Sequence, residues 1–209
     1  MLKLVELFTV LSLTIIVAIV PGADLAVVIR NALVGGRTAG FMTALGIGLA
    51  LVVHSAYAIA GIGLVVSQSI LLFNSIKLIG AAYLIFLGIT MYRGASRDMP
   101  VADQATAMPP LKALRWGFLT NATNPKATMF ALSVFVQVTA PGTPLAVQIG
   151  YGAIMASGVF LWFVLVTLFF TQSRVRDTFF RAKLWIERSF GVLLTLFGIG
   201  IAATTSSTR

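Results

Sequence analysis

The chain has 209 residues, of which 58% are hydrophobic and 10% are charged, and its formal net charge is +9. Soluble domains carry about 25% charged residues, so this composition excludes a conventional water-soluble core and favours a membrane protein. The basic residues stand in short connections between apolar segments, which argues against nucleic acid as a partner. The chain has no cysteine, which excludes disulfides and thiolate metal sites.

Six apolar segments follow one another and predict an all-α integral membrane protein with six transmembrane helices. Each is near the roughly 20 residues that a helix needs to cross the hydrocarbon core. They occupy residues 4–29, 40–66, 71–92, 114–138, 146–170 and 184–203. We therefore expect one transmembrane transporter domain over residues 1–209, embedded in the lipid bilayer, with a cytoplasmic loop at about 93–112.

The positions of the basic residues predict how the chain is oriented in the membrane. The second and fourth connections carry none, whereas the first, third and fifth carry Arg30 and Arg37; Arg93, Arg97, Lys112 and Arg115; and Arg174, Arg176, Arg181, Lys183 and Arg188. Lysine and arginine accumulate in cytoplasmic loops. The odd-numbered connections are therefore predicted to be cytoplasmic, and both termini to lie outside.

The two halves of the chain, at about 1–95 and 112–209, predict a 3+3 inverted repeat. Residues 76–89 read IKLIGAAYLIFLGI and residues 186–199 read IERSFGVLLTLFGI, so the third and sixth spans share a glycine and a closing Gly-Ile. Three spans in each half would make the second half enter the membrane from the opposite side, as in inverted-repeat transporters.

Proline interrupts the first and the fourth predicted spans. The first contains Pro21-Gly22-Ala23-Asp24, and the fourth contains the segment NATNPK at 121–126. Proline lacks an N–H group and clashes with the preceding turn, so it leaves backbone polar groups without helical partners. In lipid those groups must be satisfied by protein, water or a ligand. Paired broken helices are therefore typical of a transporter binding site.

Two ionisable residues, Asp24 and Lys126, accompany these breaks. Burying such a charge in a membrane costs at least about 2.5–3.5 kcal/mol, so both should face a cavity or a partner. We expect Asp24 to attract a substrate ammonium or a proton, and Lys126 with the freed N–H groups to attract a carboxylate. A zwitterionic amino acid fits that pair. The alternative is that Lys126 snorkels to the cytoplasmic headgroups.

His54, the single histidine of the chain, lies in the second predicted span beside Ser55 and Tyr57. Histidine exchanges a proton readily near neutral pH, so a role in a proton relay is one interpretation. The other is a structural histidine hydrogen-bonded between helices. We take Asp24 and His54 as the candidates for proton coupling.

Several ordered motifs are similar to those of the lysine-exporter family, in its threonine and homoserine exporter branch. They are Pro21-Gly22-Ala23-Asp24, ALGI at 44–47, KLIGAAYLIFLG at 77–88, GFLTNATNPKA at 117–127 and RAKLWIERSFGVLLTLFGIG at 181–200. The resemblance covers essentially the whole chain. It departs from the family at Ala23, where a second proline is usual, and at Val136-Gln137, where Pro-Gln is common.

This resemblance implies a multi-pass exporter of the bacterial inner membrane that moves amino acids, with threonine and homoserine favoured, by a secondary active mechanism. Proton antiport by alternating access is the expected mechanism. The candidate substrate-binding residues are Pro21, Gly22, Asp24, Asn121, Asn124, Pro125 and Lys126. No cofactor is expected, and the oligomeric state, a homo-oligomer included, stays open.

Other function classes are weighed against the same residues. An ATP-driven pump would need a phosphate-binding loop of the form Gly-x-x-x-x-Gly-Lys-Ser/Thr, which the chain lacks. A membrane protease would need a metal motif such as His-Glu-x-x-His or a credible Ser-His pair, and the surroundings of the single His54 provide neither. We therefore expect no enzyme and no metal site. A passive channel, or an exporter of another small solute or of a metal cation, is the remaining alternative.

Overall fold

The structure, a computed structural model, describes residues 4–68, 70–93, 108–140, 142–170 and 173–206. Within these ranges the chain is all-helical, which confirms the predicted class. The helices are α1 (Leu4–Ile19), α2 (Ala23–Gln68), α3 (Ile70–Tyr92), α4 (Pro110–Ala122), α5 (Pro125–Val138), α6 (Leu145–Phe170) and α7 (Ser173–Ser206).

Three helical segments in the described part are long and apolar enough to cross a membrane: Ala23–Gly61, Leu145–Phe170 and Leu184–Ala203. Three shorter helices are also apolar: Leu4–Ile19, Asn74–Thr90 and Pro125–Val138. Five of these segments follow single apolar runs of the sequence, and Ala23–Gly61, which turns at Gly36, covers the end of the first run and most of the second. The chain is therefore a helical membrane protein, while six crossings and the inverted repeat stay predictions.

Both predicted interruptions are present as breaks between helices. α1 ends at Ile19 and α2 begins at Ala23, and α4 ends at Ala122 before α5 begins at Pro125. Proline suits the first position of α5 because the N–H it lacks would have no helical partner there. Asn124 caps α5, since its Oδ1 accepts a hydrogen bond of 3.0 Å from the backbone N–H of Lys126.

The predicted connection between the first two spans is confirmed as a tight turn at Gly36, which divides α2 into two helices at residues 23–35 and 37–68. The chain stays helical through residues 30–39 except at Gly36, whose φ of 71° is rarely accessible to residues with a side chain. The chain folds back at this turn, because Asn31 and Thr43 would lie about 18 Å apart along a straight helix and are instead hydrogen-bonded to each other. Asn31 Nδ2 donates to Thr43 Oγ1 at 2.9 Å, and Thr43 Oγ1 donates to the Ala39 carbonyl at 2.8 Å.

Several basic residues predicted to lie in connections are found on helices. Lys112 and Arg115 lie on the exposed face of α4, which begins at Pro110. The basic residues of the fifth connection belong to α7, which begins at Ser173. Helix formation continues through these segments because long basic side chains are good helix formers and can reach water from a helix. Arg97 and most of the predicted loop at 93–112 lie outside the described residues.

Glycines bring helix backbones into direct contact at two interfaces. Between α3 and α7, a Cβ built at Gly88 would lie 2.5 Å from the carbonyl oxygen of Gly191. A Cβ built at Gly191 would likewise lie 2.5 Å from the carbonyl oxygen of Gly88. Between α2 and α4, Gly46 abuts the carbonyl of Leu114, and Gly117 abuts the carbonyl of Thr43. Membrane helices associate through such close packing because lipid provides little hydrophobic drive. The α2–α4 contact holds the end of α4 beside the first break.

We expect Gly88→Ala to lower the free energy of unfolding by about 1–3 kcal/mol, because the added methyl group overlaps the backbone of α7. The thermal unfolding midpoint of the purified protein in detergent measures this. Gly200→Ala is the matched control, since a Cβ at that position meets no atom within 4 Å. Equal midpoints for the two variants would contradict the packing described for α3 and α7.

Candidate functional site

Asp24 joins the two helix breaks. Its Oδ2 accepts hydrogen bonds from Asn121 Nδ2 at 3.1 Å and from Asn124 Nδ2 at 3.2 Å. Asn121 is the second-last residue of α4 and Asn124 precedes α5, so both amides flank the second break and reach the first residues of α2. Residues about a hundred positions apart in the chain are thereby brought into one site.

Lys126 lies on the same side of the site as Gly22. A Cβ built at Gly22 would be 3.7 Å from Lys126 Nζ, which places the ammonium group beside the first break. Lys126 is also close enough to Asp24 to interact with it electrostatically. Asp24 and Lys126 are each the second residue of the helix that follows a break.

The helix dipoles stabilise one of these two charges and destabilise the other. A helix N-terminus carries a partial positive charge, which favours Asp24 at the start of α2 and disfavours Lys126 at the start of α5. Helix stability therefore accounts for the aspartate and does not account for the lysine. A cation at that position is better explained by the opposite charge of Asp24 and by the cavity between the two residues.

The cavity lies between α1, α2, α4, α5 and α6. Four of its lining residues are polar, namely Asp24, Asn121, Asn124 and Lys126. The others are apolar or glycine: Val17, Ala18, Val20, Gly22, Ala23, Leu51, Ala127, Phe130, Val159 and Phe163. Water molecules can be centred in about 40 Å³ of it, which is room for about three, at roughly 10–15 Å³ each.

Two oxygens of the site have no hydrogen-bond partner within the described residues. They are Asp24 Oδ1 and Asn121 Oδ1, and both atoms are buried. A buried acceptor that stays unpaired is costly, by about 1–3 kcal/mol. Both atoms belong to residues that line the cavity, so the group that would complete the site is a hydrogen-bond donor such as an ammonium or a protonated group.

His54 on α2 forms a hydrogen bond with the last turn of α4, next to the second break. Its Nε2 lies 3.1 Å from the carbonyl oxygen of Asn121, and its Nδ1 is hydrogen-bonded to the Tyr57 hydroxyl. Since a carbonyl only accepts, Nε2 carries the hydrogen and Nδ1 accepts one from Tyr57 in the neutral ring. This arrangement fits the structural interpretation of His54, while leaving it near enough to interact electrostatically with Asp24.

The predicted site residues do not all contribute in the same way. Five of the seven predicted substrate-binding residues line the cavity: Gly22, Asp24, Asn121, Asn124 and Lys126. Pro21 is buried at the first break and Pro125 is exposed at the second, and neither lines the cavity. The two prolines therefore shape the backbone of the breaks, whereas the other five residues face the cavity.

Sequence reasoning missed two components. Tyr83 on α3 donates a hydrogen bond of 3.4 Å to the carbonyl of Lys126, and it is a polar residue in an apolar span, which is a usable signal. The apolar wall that includes Phe130 and Phe163 gives no such signal, because these residues resemble any others in a membrane helix.

No group of three or more metal-ligating side chains occurs among the described residues.

The chain is similar to a family of translocators and to several bacterial membrane proteins. The family model described as "LysE type translocator" matches residues 15–205. The "Threonine efflux protein" of Escherichia coli K12 is 30% identical over 197 residues, which are 92% of this chain and 96% of that protein. The "Uncharacterized membrane protein YahN" of the same organism is 28% identical over 86% of this chain and 81% of its own length.

A further relative is the "Leucine efflux protein" of Salmonella choleraesuis, which is 33% identical over 65% of this chain and 66% of that protein. No solved structure matches the chain significantly.

We expect His54→Leu to lower the free energy of unfolding by about 0.5–1.5 kcal/mol, because the Asn121 carbonyl and the Tyr57 hydroxyl each lose a hydrogen-bond partner. His54→Gln should recover part of the loss, since its Nε2 can still donate to the carbonyl. Thermal unfolding in detergent measures both variants. A His54→Leu protein as stable as the wild type would show that the histidine does not fix the second break.

Proposed function

This chain belongs to the LysE type translocator family, and from that premise we propose that it is a secondary active exporter of neutral amino acids. The family consists of translocators rather than enzymes. We place the substrate between the two helix breaks, with Gly22, Asp24, Asn121, Asn124 and Lys126 as its binding residues and with Pro21 and Pro125 holding the backbone open.

The observation that carries this proposal is the pair of opposite charges, Asp24 and Lys126, on one small cavity. An amino acid is an ammonium and a carboxylate joined through one carbon atom, so it needs an anion and a cation close together. Asp24 Oδ1 and Asn121 Oδ1 are free to accept from the ammonium. Lys126 supplies the positive charge for the carboxylate.

Threonine and homoserine are the substrates we favour. Two features support them: the resemblance of residues 181–200 to the threonine-exporting branch, and the similarity over nearly the whole chain to threonine efflux proteins. Neither substrate carries a charge on its side chain, and the rest of the cavity wall offers none. Leucine is also a substrate to be tested, because one relative is a leucine efflux protein.

The coupling ion in this proposal is a proton, carried by Asp24. Oδ2 is held by two amide donors, so Oδ1 is the oxygen that a proton would occupy. A protonated Asp24 no longer attracts an ammonium, so proton and substrate exclude one another at a single carboxylate. That exclusion is the requirement for antiport. His54 is the second candidate, acting through its electrostatic interaction with Asp24.

Transport by alternating access would rock the two halves, at about 1–95 and 112–209, around this cavity. The space open to water molecules in the cavity is narrow, so we expect the helices around it to separate when an amino acid enters. We place the protein in the bacterial inner membrane with both termini outside, following the basic residues of the odd connections. Monomer and homo-oligomer remain open.

The test is export of labelled threonine, homoserine, leucine and other amino acids from cells that express the wild type, Asp24→Asn or Lys126→Gln. We expect the wild type to export neutral amino acids, an uncoupler to abolish export, and each variant to lose at least about 90% of it, because truncating one partner of a charge pair costs about 2–5 kcal/mol. Lys77→Gln is the matched control: Lys77 is a half-buried lysine on α3 and does not line the cavity.

Three outcomes would contradict the proposal in different ways. Wild-type export by Asp24→Asn and Lys126→Gln would place the binding site elsewhere. Flux that an uncoupler does not change would favour a passive channel. Absence of amino-acid flux in the wild type would favour another small solute or a metal cation.

A further inference from the structure

We infer that the cavity holds the substrate side chain against an apolar wall that selects by size and shape, so that valine binds at least as well as threonine. This inference rests on the proposed function and adds to it the chemistry of the side-chain subsite. It also names Phe130 and Phe163 as the residues that limit the size of the side chain.

The first step is that every polar side chain of the cavity has a role at the amino and carboxylate groups. Asp24 and Asn121 offer acceptors to the ammonium, and Lys126 offers its charge to the carboxylate. Asn124 is engaged on both sides: its Nδ2 donates to Asp24, and its Oδ1 accepts from the backbone of Lys126. No polar side chain among the described lining residues remains for the substrate side chain.

The second step is the composition of the remaining wall. Leu51 of α2, Phe130 of α5, and Val159 and Phe163 of α6 all line the cavity, with exposed fractions of 2%, 3%, 8% and 2%. They come from three helices, so a substrate side chain that entered the cavity would contact apolar groups on several sides. All four are hydrocarbon, and none can form a hydrogen bond with a hydroxyl group.

The third step follows from the shapes of valine and threonine, which differ by a methyl group in place of a hydroxyl. A hydrophobic pocket discriminates poorly between such isosteres, by about a hundredfold at most and against the hydroxyl. Threonine therefore gains nothing over valine here. A charged side chain would bring a second charge without a counter-ion, so lysine and glutamate are excluded.

The fourth step concerns size. Phe130 and Phe163 are the largest side chains of the wall, and the space they leave is small. Truncating either ring should admit leucine or phenylalanine, as cavities left by large-to-small substitutions accept apolar ligands. Phe169 is the matched control, because it lies on α6 with 51% of its surface exposed, away from the cavity.

One residue near the cavity could recognise a hydroxyl group. Thr14 lies on α1 one turn before Ala18, it is 1% exposed, and its Oγ1 has no hydrogen-bond partner in the described part of the chain. Thr14 does not line the cavity, because its methyl group packs on α6 at Gly158. If the wall opened toward Thr14 on binding, threonine would be preferred, and Thr14→Val would remove that preference.

The experiment measures how unlabelled amino acids inhibit labelled-threonine exchange in proteoliposomes of the wild type, Thr14→Val, Phe130→Ala, Phe163→Ala and Phe169→Ala. We expect valine to inhibit at a concentration no more than about threefold above that of threonine, and lysine and glutamate to be inactive. In Phe130→Ala or Phe163→Ala, the potency of leucine relative to valine should rise at least about fivefold, one added methylene being worth roughly 10–200-fold. Phe169→Ala and Thr14→Val should match the wild type.

Threonine that binds more than about threefold more tightly than valine would overturn the inference and leave the proposed function intact, and loss of that difference in Thr14→Val would identify Thr14 as the group that recognises the hydroxyl. Unchanged leucine potency in folded Phe130→Ala and Phe163→Ala proteins would contradict the claim that these two residues limit the size of the substrate side chain. A wild type that exchanges no amino acid would contradict the proposed function itself. The wild-type ratio of valine to threonine decides the central point even if a variant fails to fold.

Discussion

The carboxylate of Asp24, held by the amides of Asn121 and Asn124, is the interaction on which the site depends. Broken helices leave polar backbone groups and charges at membrane depth, and lipid cannot satisfy them. Here the two breaks satisfy one another: the end of α4 and the cap of α5 provide the donors that the start of α2 needs. The remaining acceptor oxygens and the charge of Lys126 then stand on a small cavity with an otherwise apolar wall.

Close packing elsewhere keeps the two breaks opposed. Gly46 and Gly117 allow α2 and α4 to touch, which sets Asn121 at the level of Asp24 and lets His54 reach its carbonyl. Small residues and a few hydrogen bonds therefore position the two breaks, while buried hydrophobic side chains of α1, α2, α5 and α6 pack around them.

Local chemistry explains what the sequence predicted well. Proline and a charge in an apolar run are strong signals at single positions, so both breaks, and the location of Asp24 and Lys126 on one cavity, could be predicted. The turn between the first two spans could be predicted from its glycines and arginines, whereas its tightness, with helix on both sides of Gly36, could not. Contacts between distant residues could not be predicted: His54 and its partner are 67 positions apart, and the wall residues of α6 look like lipid-facing ones.

The most direct test of the binding site uses the absence of cysteine from the chain. Ala23→Cys places a thiol on the cavity, and Thr38→Cys places one on an exposed site outside it. Alkylation of each variant by a charged thiol reagent is timed with and without threonine. If the substrate binds between the breaks, threonine at about ten times its Kd should slow the reaction of Ala23→Cys about tenfold and leave Thr38→Cys unchanged, since only the unoccupied protein reacts. Equal rates at Ala23→Cys with and without threonine would contradict a substrate site at this cavity.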